Sequence, residues 1–384
     1  MMVLLFWLTV LALFMAATAL GRRLGLIPIV SQLLMAGLGL PLLMAYGVEP
    51  HWHLHGAALV APGWVHACYS LAFALLLGQI IGDVIDLNLN RDSLRVALPS
   101  FAVPFAAGLA CAAWLLPQLS WVSHLALGLV FAITAIPVLY LYLQHIQYPP
   151  AATRRLMQAA IFIDLACWSL LGLAQGSLHL ATLAWPLLAA FAPWLLHLCR
   201  VRQPLAYSLL FFALLVAAEQ LKLNALLMGV GYVLNMAWLK LPLVPPLPKR
   251  WMAPVQNGIA IPLLLTAGIV QIDLDGALAS LSPAQWAAWL FLPIVSKLAG
   301  NWLGLAWAGP SPGGTSRWRE AVLLNIRGLS EIVFLNLLLK QQLISEAAYL
   351  ALMLMGLVAT LLPALAGLHR IPLNRIDPAR RPRA

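Results

Sequence analysis

Four ionisable residues stand well inside apolar stretches of this chain: Asp164, Lys297, Arg327 and Glu331, with Asp83 near the end of another. A charge in such a setting costs several kcal/mol unless something compensates for it. Two acids and two bases sum to zero, so the set can be neutral as a whole. Asp164 is the most isolated of them, the single carboxylate of AAIFIDLACW at 159–168. Two readings are open on these residues alone. Buried charges can form a network that fixes helix register, or they can mark an ion or proton pathway.

Two further stretches carry helix-breaking residues beside polar ones. AITAIPVLYLY (132–142) places Thr134 and Pro137 mid-run, and NIRGLSEIVFLN (325–336) places Gly328 and Ser330 beside Asn325, Arg327 and Glu331. Pro137 lacks the N–H that a helix needs and so frees a carbonyl near Thr134. Taken singly, each is an ordinary kink or packing glycine. Together with buried charge they fit a pair of broken helices, whose ends present oriented dipoles to an ion.

The elements that must position these residues are helices in a membrane. Of 384 residues, 63% are hydrophobic and 9% charged, with mean hydropathy +0.92. A soluble domain carries about 25% charged residues. Lipid-exposed spans must be helices or a closed barrel, and runs without strict alternation select helices. Thirteen runs are expected, at 2–20, 26–46, 65–84, 96–116, 122–143, 155–175, 179–198, 203–219, 221–239, 254–271, 285–308, 318–339 and 346–368. The first lacks a basic leader and a cleavage site, so it is read as a span rather than a signal peptide. Residues 1–370 are expected to form one transmembrane domain, and 371–384 a short basic tail.

The net charge of +10 is explained by topology rather than by nucleic acid. With connections numbered alternately, 18 of the 22 Lys and Arg share one side, Arg154 and Arg155 among them, while Lys222 and Lys340 lie opposite. The positive-inside rule then puts the N-terminus outside and the C-terminus in the cytoplasm. The tail arginines hold that orientation against anionic lipid. Cys68, Cys111, Cys167 and Cys199 fall in or beside spans with neither disulfide nor metal spacing. HWHLH (51–55) has alternating histidines but no further ligand cluster, so it reads as an outer loop and no metal or cofactor is expected. Several of the fifteen tryptophans lie near span ends, as interface anchors do. No phosphate loop, nucleophile elbow or zinc-protease motif occurs, and no enzyme activity is expected.

At these same residues the chain resembles the bacterial cation/proton antiporters of the Kef and Nap type. NIRGLSEIVFLNLLL is similar to the family's Asn-Thr-Arg-Gly-Leu-x-Glu segment at Asn325, Arg327, Gly328, Leu329, Glu331 and Asn336. ITAIPVL is similar to its Thr-Ala-Phe-Pro-Val-Leu segment. IPIVSQLLMAGLGLPLL (27–43), LLGQIIGDVID (76–86) and IVSKLAGNWLGLAWAG (294–309) resemble its early glycine-rich, third and lysine-bearing helices. The resemblance runs in order over about 20–368. It implies thirteen helices, inverted repeats with two crossing broken helices, a mobile core and a dimerising domain in the bacterial inner membrane.

The resemblance also implies exchange of Na+ or K+ for protons, with Asp164 as shared site. Thr134 and freed carbonyls would complete the cation's oxygen shell, and Lys297 would partner Asp164. Arg327 and Glu331, four apart, would pair on one helix face. The chain departs from the pattern at Ile163, where the family usually has a first acid or an Asn, at Ile326 and at Tyr140. One acid fewer implies one proton per cation. No nucleotide-sensing domain follows the last run, so ligand gating is not expected. The alternative class is a non-transporting or regulatory membrane protein on the same scaffold, which those departures favour and the four retained charges oppose. An intramembrane hydrolase lacks a Ser/His or paired-Asp arrangement.

Overall fold

The computed structural model describes residues 2–366 except 24–27, 53–55, 83–90, 177–179, 222–224, 245–247, 271, 273 and 312–313. Asp83, Lys222, the second half of HWHLH and the tail 371–384 lie outside the described residues. Among the described residues every regular element is helical. Besides the short helices Gly56–Val60 and Leu274–Ser280, the helices in chain order are α1 (Met2–Arg23), α2 (Pro28–Trp52), α3 (Gly63–Gly82), α4 (Arg91–Leu115), α5 (Trp121–Ala132), α6 (Ile136–His145), α7 (Pro150–Gly176), α8 (Leu180–Ala190), α9 (Ala192–Leu198), α10 (Pro204–Gln220), α11 (Ala225–Trp238), α12 (Arg250–Ile269), α13 (Pro283–Ala308), α14 (Arg317–Leu323), α15 (Leu329–Lys340) and α16 (Glu346–Leu365).

Seven of these, α1, α2, α4, α7, α12, α13 and α16, are long and apolar enough to cross a membrane by themselves. Shorter apolar helices include α5 and most of α10. The run expected at 122–143 divides into α5 and α6, and that at 318–339 into α14 and α15. Both divisions fall at the Thr134–Pro137 and Asn325–Gly328 stretches. The run at 179–198 also divides, at Phe191. Widened five-residue turns interrupt α2 at Met35–Gly39 and Met44–Val48, and α12 at Gln256–Ala260. Trp114, Trp121, Trp238, Trp251 and Trp318 are exposed at or near helix ends.

Local sequence sets several of the helix starts. Ser120 caps α5, its hydroxyl accepting from Ser123 N at 3.2 Å. At the start of α13 the Ser282 side chain and the Gln285 side chain cap each other's backbone amides.

Helix α13 packs closely along α4 through Gly300 and Gly304. A Cβ at Gly304 would stand 2.4 Å from Val96 O, and one at Gly300 would stand 2.6 Å from Pro99 O. This spacing of two small residues four apart lets two backbones close to near contact. α4 also packs on α5 and α7, and α16 packs on α13, α14 and α15. The two broken helices thus lie among four neighbours, and α5 is buried without interruption from Ala126 to Ala132.

Gly304→Val is expected to separate α4 from α13 and to lower the apparent unfolding temperature of the purified protein sharply. Gly63→Ala, where a Cβ meets nothing within 4 Å, is expected to leave it unchanged. Differential scanning fluorimetry of both variants in one detergent checks the contrast.

Candidate functional site

A helix leaves its last four carbonyls and first four amides without intrahelical partners. In an apolar interior each such group costs free energy until it is matched. The break between α5 and α6 puts both kinds of end in the core. Carbonyls 129–132 close α5. Leu129 O accepts from Ile133 N at 3.0 Å. Val130 O and Phe131 O accept from the Arg327 guanidinium, the latter at 2.6 Å. Ala132 O accepts from Lys297 Nζ. Three of the four are held by two fully buried cations, at the negative end of the α5 dipole.

Lys297 Nζ donates a second hydrogen bond, to Ser100 O at 3.1 Å. That carbonyl is free for a reason written in the sequence: its helical partner would be the N–H of residue 104, which is proline. The ammonium therefore ties α13 both to the kink in α4 and to the end of α5.

Asp164 meets the other side of the break. Its Oδ1 accepts from Thr134 N at 3.1 Å, just before the positive end of α6. Pro137 is the second residue of α6, where an amide would have no intrahelical partner in any case. Ala135 N donates to Ile326 O at 3.2 Å, so the two unwound segments join where the broken helices meet.

The second break follows the same logic. Asn301, one turn beyond Lys297 on α13, donates from Nδ2 to Ala321 O near the end of α14 at 2.9 Å. The carbonyl of Arg327 accepts from Thr360 Oγ1 of α16 at 2.7 Å. Gly328 turns the chain into α15 with φ 155°, and a Cβ there would stand 2.7 Å from Val138 Cγ2. Only glycine fits that turn and that approach together.

Two pairings expected from the sequence come out differently. Lys297 does not pair with Asp164; among the described residues no base lies within 4.0 Å of that carboxylate. The carbonyls released by Pro104 and by the end of α5 claim the ammonium instead. Arg327 and Glu331 do meet, Nη1 to Oε1 at 3.5 Å with both buried. Their contact spans the break rather than one helix face, because α15 begins only at Leu329. Glu331 packs on α16, its Oε2 filling the space a Cβ at Gly356 would take.

Several buried polar atoms in and beside the breaks make no hydrogen bond to a described residue. They are Asp164 Oδ2, Thr134 Oγ1, Ser330 Oγ and both amide atoms of Asn325. Asp164 is 1% exposed and the others 0%. Pro137, Gly328 and Asn325 contribute backbone shape, while the oxygens point to what the site can hold.

One ion pair went unread in the sequence. Arg155, in the first turns of α7, meets Glu320 of α14, and both are buried. Glu320 Oε1 also accepts from Thr315 Oγ1 at 2.6 Å and from Ser311 Oγ. Arg155 Nη1 donates to Pro310 O at 3.3 Å. Tyr148 stands beside this cluster, and burial pushes its phenol up to about 12, which keeps it neutral. Arg155 follows Arg154 in a basic connection, so its charge reads as a topology signal. Glu320 among Arg317 and Arg319 reads as a loop acid.

No family model and no curated protein sequence matches the chain. Among solved structures it is similar to the sodium proton antiporter MjNhaP1 from Methanocaldococcus jannaschii, at TM-score 0.61 and 14% identity. The likeness covers 96% of this chain and 97% of that one. It shows a shared fold.

Arg327 caps two carbonyls and neutralises Glu331, so its removal leaves three uncompensated groups. Arg327→Met is expected to cost about 3–5 kcal/mol of stability, and Glu331→Gln clearly less. Reversible unfolding of the variants in mixed micelles measures the difference.

Proposed function

We propose that this chain exchanges a monovalent cation, Na+ or K+, for protons across the inner membrane of a bacterial cell, with Asp164 as the shared site. One observation carries the reading. Among the described residues, Asp164 is buried, faces no base at ion-pair distance, and keeps Oδ2 without a hydrogen bond within 3.5 Å. A bare carboxylate in an apolar interior is too costly to persist, so it must hold a proton or a cation. Only one fits at a time, and competition for one carboxylate couples the two fluxes.

Thr134 Oγ1, buried and unpartnered beside Asp164, completes part of the cation's oxygen shell. Lys297 and Arg327 flank the site from the α5 end, and Glu331 pairs with Arg327. Further support comes from the order of elements: α4, broken α5–α6 and α7 recur as α13, broken α14–α15 and α16. In this reading 1–370 is one unit of thirteen crossings built from inverted repeats. Its core rocks against a dimerising set of early helices and carries the site from face to face. The N-terminus lies outside, and 371–384 is cytoplasmic against anionic lipid.

Asp164→Asn is expected to abolish cation-driven proton flux in proteoliposomes while the protein still folds, and equal flux by variant and parent would overturn the mechanism. Ile163 cannot titrate, so exchange is expected to be one proton for one cation. Each net charge moved couples the cycle to voltage by about 2.3 kcal/mol per 100 mV. Flux measured at clamped potentials of opposite sign should therefore reverse at the same cation gradient; a reversal point that moves with voltage contradicts one-for-one exchange.

A further inference from the structure

We propose that the Ser330 hydroxyl is a third side-chain ligand of the transported cation, beside Asp164 and Thr134. The proposal rests on the exchange reading above and names a residue of the same site.

Ser330 stands in the first turn of α15, 0% exposed, and its Oγ makes no hydrogen bond within 3.5 Å to a described residue. A buried hydroxyl without a partner is a net cost, and a serine this early in a helix ordinarily bonds nearby backbone. Here it does not. Its position explains why. Trp168 and Phe334 meet edge to face, centroids 4.9 Å apart. Each lies four residues, one helical turn, beyond Asp164 and Ser330 respectively. The ring contact brings α7 and α15 together one turn beyond Asp164 and Ser330, and the Ser330 side chain stands beside the Asp164 carboxylate.

The remaining oxygens follow from the same geometry. Helix α7 supplies nothing more: Ala160, one turn before Asp164, and Ile163 beside it carry no ligating atom. Thr134 comes from the first break and Ser330 from the second, and the breaks are joined through Ala135 N and Ile326 O. Each of the two segments thus brings one unpartnered hydroxyl to the carboxylate. Hydroxyl and carboxylate oxygens are what hard cations take as ligands. When Asp164 carries a proton instead, the same Ser330 oxygen can accept a hydrogen bond from it. Ser330 therefore has a partner in either loaded state.

The test uses the full-length protein in proteoliposomes, with Na+ and K+ as chloride salts and choline as control, for the parent, Ser330→Ala, Ser330→Thr and Asp164→Asn. Ser330→Ala is expected to raise the apparent KM for the preferred cation about tenfold. Ser330→Thr keeps the hydroxyl and should stay within about twofold of the parent. If Ser330→Ala is lost in purification, Ser330→Cys replaces it, since a thiol is a poor ligand for these ions, and the same shift is expected. Unchanged KM in the variant lacking the hydroxyl would overturn the assignment while exchange by the parent stands. No exchange by the parent would instead overturn the exchange reading itself.

Discussion

Two helices end inside an apolar core, and the backbone groups they leave unpaired govern the rest of the structure. An unmatched carbonyl or amide in such a place costs as much as a lost hydrogen bond, and water is not there to supply one. The chain answers with side chains rather than with loops. Arg327 and Lys297 take the carbonyl end of α5, Asn301 takes that of α14, and Asp164 takes an amide before α6. Charges that look extravagant in the sequence are thus first of all helix caps. Positive groups sit at the negative dipole end and the acid near the positive one.

That allocation decides the character of Asp164. Because both nearby bases are committed to carbonyls, the carboxylate meets no base at ion-pair distance among the described residues. On the exchange reading, a proton or a cation supplies the missing counter-charge. The same allocation makes α13 a strut: Lys297 and Asn301, one turn apart, hold the ends of both broken helices, and Gly300 and Gly304 press the strut against α4. Arg155 and Glu320 tie α7, which carries Asp164, to α14 at a second point. The breaks are therefore held from several sides.

Much of this was legible beforehand. Pro137 and Gly328 marked both breaks because their backbone effects are local and independent of partners. The four buried charges marked the site because their cost in lipid does not depend on the fold. Pairing was not legible. Lys297 was expected opposite Asp164 on charge alone, whereas Pro104, nearly two hundred residues away in sequence, frees the Ser100 carbonyl that it bonds. Arg155 was hidden by Arg154, since a basic connection reads as topology whether or not one side chain turns inward. Ser330 was hidden by its type, because a serine in an apolar helix is common and only its missing hydrogen bond sets it apart.

The central claim is that one carboxylate holds either a proton or a cation. Infrared difference spectroscopy of the purified protein, recorded as Na+ or K+ replaces choline, observes that exchange without requiring transport. The account predicts that cation addition removes a protonated-carboxyl band, that Asp164→Asn abolishes the change, and that Glu331→Gln retains it. A cation-induced loss that survives in Asp164→Asn, or no carboxyl change at all in the parent, would contradict it.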